Sequence, residues 1–294
     1  HLQARSVTSS TNAIRPLDAA SSASEGDSVP SPERFVDIHC HLLPGIDDGA
    51  ADWSQSLAMA RMAANDGIAT IVATPHQLGN YRHNRAETIL GLVGELQTRL
   101  DEEDIRLRVL PGADVRIEPE MVAKVLKGEV LALGGRTRYV LLELPHELYV
   151  PLDRLLAELE GAGLVGVLSH PERNLGLLAQ PQVVESLVDA GCLMQVTAGS
   201  LIGTFGPPMT AMAERLLSRG LVHFLATDAH GPKSRRPLLR RAFERAAELA
   251  GHKAACAMCC DNPSLLVADR PIPRGRTRVQ RQGIARWFTS RKAG

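Results

Sequence analysis

Short apolar runs of β-type composition alternate along the chain with longer amphipathic or Ala/Leu-rich stretches, beginning at Phe35. The runs have the length of strands, and the stretches between them have the length of helices. Seven strands are predicted, at residues 35–39, 70–74, 108–111, 139–143, 165–169, 193–197 and 222–227. Helices are predicted between and after them, at residues 53–66, 85–103, 118–127, 152–162, 181–190, 208–219 and 236–250.

Glycines mark the ends of several predicted helices. A glycine tolerates the left-handed conformation that closes a helix at its C terminus. Four of them stand just before a predicted strand: Gly67, Gly163, Gly191 and Gly220. This alternation predicts βα units around a parallel sheet, and seven such strands favour a closed or nearly closed β/α barrel. An open doubly wound sheet is the alternative, although such sheets usually place their ligand chemistry at one switch point.

Composition divides the chain into three regions. Residues 1–34 are rich in Ser, Ala, Thr and Pro without an apolar period, which predicts a disordered leader rather than a secretory signal. Residues 35–270 are predicted to form the β/α domain, and residues 271–294 a basic tail. With no apolar run long enough to span a bilayer, a cytoplasmic protein without a transmembrane segment is expected.

Charge is unevenly distributed between the body and the tail. The tail carries seven basic residues and no acidic one, and because the whole chain sums to zero, residues 1–270 carry −7. A body of this charge is not expected to bind nucleic acid. For the tail, a solvated segment is favoured over contact with an anionic membrane or a nucleic acid.

Five cysteines at irregular spacings do not predict a disulfide framework. The CxxCC cluster of Cys256, Cys259 and Cys260 lacks a second pair at zinc-finger spacing, so ordinary thiols are favoured over a zinc site. A cysteine-dependent phosphatase needs an arginine six residues after its cysteine, and no cysteine here has one. The thiol mechanism is therefore excluded.

Histidines and carboxylates stand at the C-terminal ends of six of the seven predicted strands. In chain order, these residues are His39, His41, Asp47, Asp48, His76, Asp114, Glu143, His170, Asp228 and His230. The C-terminal edge of a β/α barrel is where its loops converge and its active sites form. We therefore expect these side chains to meet at one place.

So many ligands exceed the needs of one ion. Alternate residues of a strand point to the same side, so His39 and His41 can share an ion. A lone histidine is usually structural, but buried charges need a partner or a metal, and five histidines with four or five carboxylates favour a metal site. Imidazole and carboxylate donors suit Mn, Fe or Zn, and two or three such ions can clamp a phosphoryl group. Cys40 is expected to face away as a buried hydrophobe.

Five segments together resemble the polymerase-and-histidinol-phosphatase (PHP) superfamily. They are DIHCHLLPGIDDG at 37–49, ATPH at 73–76, LLEL at 141–144, SHPER at 169–173 and ATDAH at 226–230. The opening segment and the SHPER block are similar to the CpsB/YwqE-type bacterial tyrosine-protein phosphatases in particular. This resemblance extends from Phe35 to about Pro263.

The resemblance implies a distorted (β/α)7 barrel of the PHP fold with a trinuclear, usually manganese-dependent site at the C-terminal edge of the strands. It also implies hydrolysis of phosphotyrosine on proteins, with a membrane-associated bacterial tyrosine kinase of capsule or exopolysaccharide synthesis as partner. The family's metal ligands fall on His39, His41, Asp48, His76, Glu143, His170, Asp228 and His230. Another ligand position, usually Glu, is Asp114 here; its side chain is one methylene shorter, so either the backbone lies closer or the ion is held more loosely.

Two arginines are implied as phosphate contacts, Arg173 and Arg235. A guanidinium group matches phosphate oxygens with two donors, which agrees with that role. Lys233 and Arg236 are alternatives to Arg235. Together with Asp48 and His76, the two arginines are expected to carry catalysis.

The expected mechanism is in-line attack of metal-bound hydroxide on phosphorus, with the tyrosyl oxygen leaving against a metal or with a proton from water or histidine. One rival is a PHP enzyme that acts on a small molecule such as histidinol phosphate, or on nucleic acid. Another is a non-catalytic scaffold module, against which the nearly complete ligand set counts. The sequence leaves the oligomeric state and the native metal open.

Overall fold

Parallel strands form the centre of the structure, a computed structural model that describes residues 34–136 and 138–279. The strands in this part of the chain are β1 (Phe35–Cys40), β2 (Ile68–Ala73), β3 (His76–Gln77), β4 (Arg108–Pro111), β5 (Asp114–Arg116), β6 (Tyr139–Glu143), β7 (Val165–Ser169), β8 (Leu193–Thr197) and β9 (Phe224–Ala226). The α-helices are α1 (Trp53–Asp66), α2 (Ala86–Glu102), α3 (Met121–Leu126), α4 (Asp153–Gly161), α5 (Leu175–Ala179), α6 (Val183–Asp189), α7 (Ala198–Leu201), α8 (Pro207–Ser218), α9 (Arg240–Ala250), α10 (His252–Cys256) and α11 (Asn262–Val267). Leu133–Gly135 and Pro171–Arg173 are short 3-10 turns, and Ala257–Asp261 is a π-helical turn.

The strands pair in two parallel sheets, in the orders β1-β2-β4 and β3-β5-β6-β7-β8-β9. Two residues separate β2 from β3, and two separate β4 from β5, so each pair is one strand with an interruption. Pro75, in the first interruption, has no N–H to donate to a ladder. At the second, a Cβ on Gly112 would lie 2.7 Å from Val72 Cγ1, so the chain passes too close to its neighbour for a side chain.

The first and last strands lie next to each other. Asp228 N donates a hydrogen bond to His39 O at 2.7 Å, and His41 N donates to Ala229 O at 2.9 Å. These bonds join the ends of β1 and β9 without merging the two sheets into one continuous ladder. The α/β prediction with parallel sheets is thus confirmed.

Apolar side chains cover both faces of the strands, as is usual for parallel sheets. In β1, Val36 and Ile38 belong to an inner cluster with residues such as Leu141 and Phe224. Phe35 and Cys40 belong to a larger cluster between the strands and the helices. Cys40 is therefore buried in the core, and burial raises the pKa of its thiol well above the usual value.

The predicted strands and main helices coincide with observed elements, while their ends differ by a few residues. The last predicted strand, 222–227, shortens to Phe224–Ala226, and the helix predicted at 118–127 shortens to Met121–Leu126. The helix predicted from 236 begins at Arg240, because the Asp66 carboxylate accepts a hydrogen bond from Arg240 N at 2.8 Å and fixes the start there. The segment just before Arg240 therefore forms a loop.

All four helix-ending glycines have positive φ, as predicted. The values are 99° at Gly67, 75° at Gly163, 87° at Gly191 and 70° at Gly220. At Gly67 the backbone N–H returns to Ala64 O at 3.2 Å, so a left-handed residue closes α1, and β2 begins at the next residue.

Part of the predicted tail lies against the body. His223 Nε2 donates to Gly275 O at 2.9 Å, Thr277 N donates to Gly220 O at 2.7 Å, and Ile272 N donates to the Tyr139 hydroxyl at 3.0 Å. Residues 271–279 are thus fixed by hydrogen bonds. Residues 280–294, and the predicted leader up to residue 33, lie outside the described residues.

None of the helices in the described part of the chain combines the length and the apolar character needed to cross a bilayer.

Candidate metal centre

The predicted ligands converge at the C-terminal ends of the strands. Their donor atoms form four overlapping groups, within each of which the atoms lie no more than 4.8 Å apart. The groups are His41, Asp48, His76 and His230; His39, His41 and Asp228; His39, Asp114 and His170; and His76, Asp114 and Glu143. All nine predicted ligands belong to these groups, and because the groups share residues, they suit several neighbouring cations better than one.

Three of the histidines are oriented through Nδ1, which leaves Nε2 facing the cluster. His39 Nδ1 donates to Gln195 Oε1 at 2.9 Å, His41 Nδ1 to Asp47 Oδ2 at 2.7 Å, and His230 Nδ1 to the carbonyl of Asp228 at 3.0 Å. Partners of this kind fix the tautomer and raise the basicity of a metal ligand. The Nε2 atoms of His39 and His41 lie only 3.2 Å apart. Two lone pairs repel at that distance unless a cation or a proton lies between them.

Asp114 provides a direct test of whether the cluster fits a metal. The side chain is fully buried, and neither carboxylate oxygen has a hydrogen-bond partner among the described residues. The same is true of His76 Nδ1, which lies 3.5 Å from Asp114 Oδ2. Buried carboxylates without partners are strongly disfavoured. These atoms therefore fit a site built for cations.

Electrostatics lead to the same conclusion. Burial raises the pKa of Asp114 to about 8, and the nearby Glu143 carboxylate adds to this. Burial by itself lowers the pKa of His76, but its contacts with Asp48 and Glu143 outweigh that effect and raise the pKa to about 11. The pKa of His41 is likewise raised to about 9, because Asp228 and Asp47 outweigh burial. Without cations, the cluster takes up protons in their place.

Three histidines behave in the opposite way, and one of them is His230, whose pKa is lowered by burial and by the neighbouring His41. Burial lowers the pKa of His39 to about 3 and holds the pKa of His170 well below its usual value. All three are thus neutral at pH 7, which is the form that binds a metal.

Left-handed backbone conformations occur at three site residues that are not glycine. The φ values are 34° at His170, 48° at Asp228 and 48° at Arg235. Such conformations cost about 1–3 kcal/mol each and concentrate at functional sites. The N–H of Asp228 donates a hydrogen bond to His39 O. This contact with the end of β1 stabilises the left-handed conformation of Asp228.

Both predicted arginines reach the cluster at one oxygen. Arg235 Nη2 lies 2.6 Å from Asp228 Oδ2, and Arg173 Nη1 contacts the same oxygen. Phe205 lies beside both guanidinium groups, with Cζ of Arg173 4.4 Å and Cζ of Arg235 5.9 Å from its ring centroid. The neighbouring Lys233 and Arg236 are exposed, so Arg235 is the cation of this loop that reaches the cluster.

A cleft of about 130 Å³ opens over the cluster. Its lining combines cluster ligands, both arginines, and residues that follow β6 and β7, including His146 and Asn174. That volume suits a small anionic group such as a phosphoryl group. The lining thus combines two guanidinium groups with metal ligands.

Several residues that support the metal ligands were not predicted from the sequence. Gln195 orients His39, and Asp37 accepts hydrogen bonds from Thr227 N at 3.0 Å and His39 N at 3.3 Å. Asp47, predicted only as an additional ligand, accepts from His41 Nδ1 and from His76 N at 3.1 Å, and so it lies behind the ligands. A signal was available for Gln195, which is the one amide in the mainly apolar strand β8.

Comparison with known proteins agrees with this geometry. Residues 35–268 match the family model described as capsular polysaccharide synthesis, CpsB/CapC. The chain is 41% identical over 203 residues to the tyrosine-protein phosphatase YwqE of Bacillus subtilis, which covers 68% of this chain and 79% of that protein. It is 30% identical over 248 residues to the tyrosine-protein phosphatase CpsB of Streptococcus pneumoniae, covering 81% of this chain and all of that protein.

Solved structures give the same result. A crystal structure from the pair YwqE of Bacillus subtilis and CpsB of Streptococcus pneumoniae, described as unique metal-dependent tyrosine phosphatases, matches with a TM-score of 0.79 at 36% identity. The match covers 84% of this chain and 100% of that one. A phosphotriesterase homology protein from Escherichia coli shares only the fold, with a TM-score of 0.53 at 14% identity over 81% of this chain and 99% of that one.

Proposed function

The chain belongs to the CpsB/CapC family of capsular polysaccharide synthesis, and from that premise we propose that it is a metal-dependent phosphatase of phosphotyrosine on proteins. The observation that carries the proposal is the meeting of two features at Asp228: one of its carboxylate oxygens belongs to the ligand groups, and the other holds both arginines. A phosphoryl group bound in the cleft would thus meet both the ions that the ligands hold and the two guanidinium groups.

Each group has a distinct part in the proposed reaction. The nine ligands would hold two or three divalent ions, manganese by preference and iron or zinc as alternatives, which fits their imidazole and carboxylate chemistry. Such ions lower the pKa of a water and neutralise charge on phosphoryl oxygens. Arg173 and Arg235 bind and orient the phosphate, and they release Asp228 Oδ2 when they do so. His76 and Asp48, at the open edge of the cluster, would act in catalysis as ligands beside the reacting oxygens, and the leaving oxygen would take its proton from water.

We also propose the finer features that the family resemblance implies. The strands form a distorted seven-stranded β/α barrel of the PHP type, supported by the two interrupted strands and by the bonds between the ends of β1 and β9. The substrate is a membrane-associated bacterial tyrosine kinase of polysaccharide synthesis. We also propose a cytoplasmic location, supported by Cys40, Cys192 and Cys259, which are buried as thiols rather than disulfides.

Turnover of a phosphotyrosine peptide tests the proposal. Purified protein with added manganese should release phosphate, thorough chelation should abolish release, and readdition should restore it. His41→Ala, which removes a residue shared by two ligand groups, should stay inactive after readdition. Histidinol phosphate and a short DNA oligonucleotide serve as rival substrates in parallel. Turnover undiminished after chelation, or faster turnover of a rival, would refute the proposal.

A further inference from the structure

An exposed apolar patch borders the cleft. Leu148 and Val150, in the loop after β6, and Leu175, the first residue of α5, keep 63%, 42% and 45% of their surface in solvent. Among the described residues, the other large apolar side chains of comparable exposure are Leu90 and Leu126. Three of the five exposed large apolar side chains among the described residues therefore belong to the two segments that follow β6 and β7.

Hydrogen bonds hold the two segments of this patch together. Asn174 Nδ2 donates to Pro145 O at 2.7 Å and to Leu148 O at 2.9 Å, and Leu175 N donates to His146 O at 3.0 Å. The patch is thus preformed, and a ligand would not need to order it.

Close packing at Gly176 also fixes the position of α5 against the loop after β6. A Cβ on Gly176 would lie 2.3 Å from Tyr149 N, so the first turn of α5 is pressed against the loop backbone. Only a residue without a side chain permits that approach.

The patch also begins where the phosphate-binding cleft ends. His146 and Asn174, whose backbones or side chains support the patch, line the cleft next to Arg173. A phosphotyrosine whose phosphate contacts Arg173 therefore brings its neighbouring residues to the patch.

We propose that Leu148, Val150 and Leu175 bind apolar side chains that flank the phosphotyrosine in the substrate protein. The proposal rests on the proposed function, because that function brings a polypeptide to the cleft. A second copy of this chain is disfavoured as the occupant, since a stable dimer uses about 20–30 residues on each side and the patch offers three. Glu147, beside Leu148 in the loop, disfavours an acidic partner segment at the patch.

Three substrates test the idea on the full chain with manganese. Two are phosphotyrosine peptides that differ only in having leucine or serine at the two positions on each side of the phosphotyrosine; the third is p-nitrophenyl phosphate, which is too small to reach the patch. The wild-type KM for the leucine peptide should be about tenfold lower than for the serine peptide, equivalent to about 1.4 kcal/mol. The double variant Leu148→Ser/Leu175→Ser should lose this preference while it hydrolyses p-nitrophenyl phosphate as before.

Leu126→Ser is the matched control, because Leu126 is exposed to 62% but lies on α3, an element that contributes no residue to the lining of the cleft. It should retain the preference for the leucine peptide. Equal wild-type KM values for the two peptides would overturn the inference, as would a changed oligomeric state or faster p-nitrophenyl phosphate turnover in the double variant. The last two results would mean that a second copy or another segment of this chain covers the patch. Failure of the wild type to hydrolyse either peptide would instead refute the proposed function.

Discussion

At the scale of single residues, Asp114 carries the clearest chemical requirement in the molecule. It is fully buried, its two oxygens have no hydrogen-bond partner in the described part of the chain, and it belongs to two of the four ligand groups. The pairing of β5 with β3 places Asp114 opposite His76. The backbone thus brings the carboxylate to the cluster.

Asp114→Asn should therefore bind fewer ions and lose activity. Loss of a residue that hydrogen-bonds to a metal ligand typically lowers metal affinity or activity about 10–100-fold. We expect the loss of a ligand itself to lower kcat/KM by more than about 100-fold. Metal content after gel filtration, measured by elemental analysis, should fall by about one ion per chain. Asp114→Glu is the control and should keep its metal. Full metal content in the asparagine variant would show that Asp114 is not a ligand.

At the scale of elements, the loop between β1 and α1 shows how close packing positions a ligand. Gly49 N donates to Asp47 Oδ1 at 2.9 Å, and a Cβ on Gly49 would lie 2.3 Å from His41 O. The loop thus folds back tightly on the strand that carries His41. Asp48 is directed to the open side of the cluster as a result, 3.4 Å from both His76 Nε2 and His230 Nε2.

Gly49→Ala should displace this loop and with it Asp48. A shift of about 1 Å in a reacting group can lower a rate by about 100-fold, and we expect a loss of activity between about tenfold and that value. Gly91→Ala is the matched control, since Gly91 lies exposed in α2, where an added Cβ would meet no neighbouring atom within 4 Å among the described residues. That change should stabilise the protein by about 0.5–1 kcal/mol without altering activity. Activity assays and thermal unfolding of both variants test this, and wild-type activity in Gly49→Ala would contradict it.

Comparison of the sequence with the structure shows which features periodicity can reveal. Strands buried on both faces have apolar runs, so all seven predicted strands are found, and ligands at their ends can be placed on one edge of the sheet. Contacts between distant segments leave no such trace. Asp37 has the sequence context of an ordinary strand residue, and only the fold brings Thr227 next to it. Asp66, at the end of α1, likewise fixes the start of α9 through a hydrogen bond that the sequence does not indicate. The ligands' convergence was predictable, whereas their supporting hydrogen bonds were not.

At the scale of the whole molecule, stability and metal binding are linked through protons. His41, His76 and Asp114 all have raised pKa values in the absence of metal, of about 9, 11 and 8. A group whose pKa is higher in the folded state than in the unfolded state stabilises the protein at pH values below its unfolded-state pKa. This contribution is lost as the pH rises through the folded-state pKa. Groups with lowered values, such as His39, are deprotonated in both states above about pH 7.5 and add nothing there.

Metal-free protein should therefore become less stable between about pH 7.5 and about pH 9, whereas manganese-loaded protein should hold its Tm, because cations replace the protons. Metal binding at about pH 8 should also release protons, which titration calorimetry in buffers of different ionisation enthalpy measures. Buried His223 is an internal reference: burial lowers its pKa to about 4, so it does not titrate in this window. Parallel Tm curves for the two forms, with no proton release, would contradict the prediction.

The proximity of β1 and β9 has a consequence for how the protein is made. The ligand groups combine His39 and His41 from the first strand with Asp228 and His230 after the last, and each ion position near His41 draws on both. A ribosome synthesises these two pairs at opposite ends of the domain. A nascent chain, or a fragment cut in between, therefore lacks complete versions of the two ligand groups that contain His41. Interrupted translation should thus yield a chain in which the ligands near His41 cannot all meet, whatever the rest of the domain has already assembled.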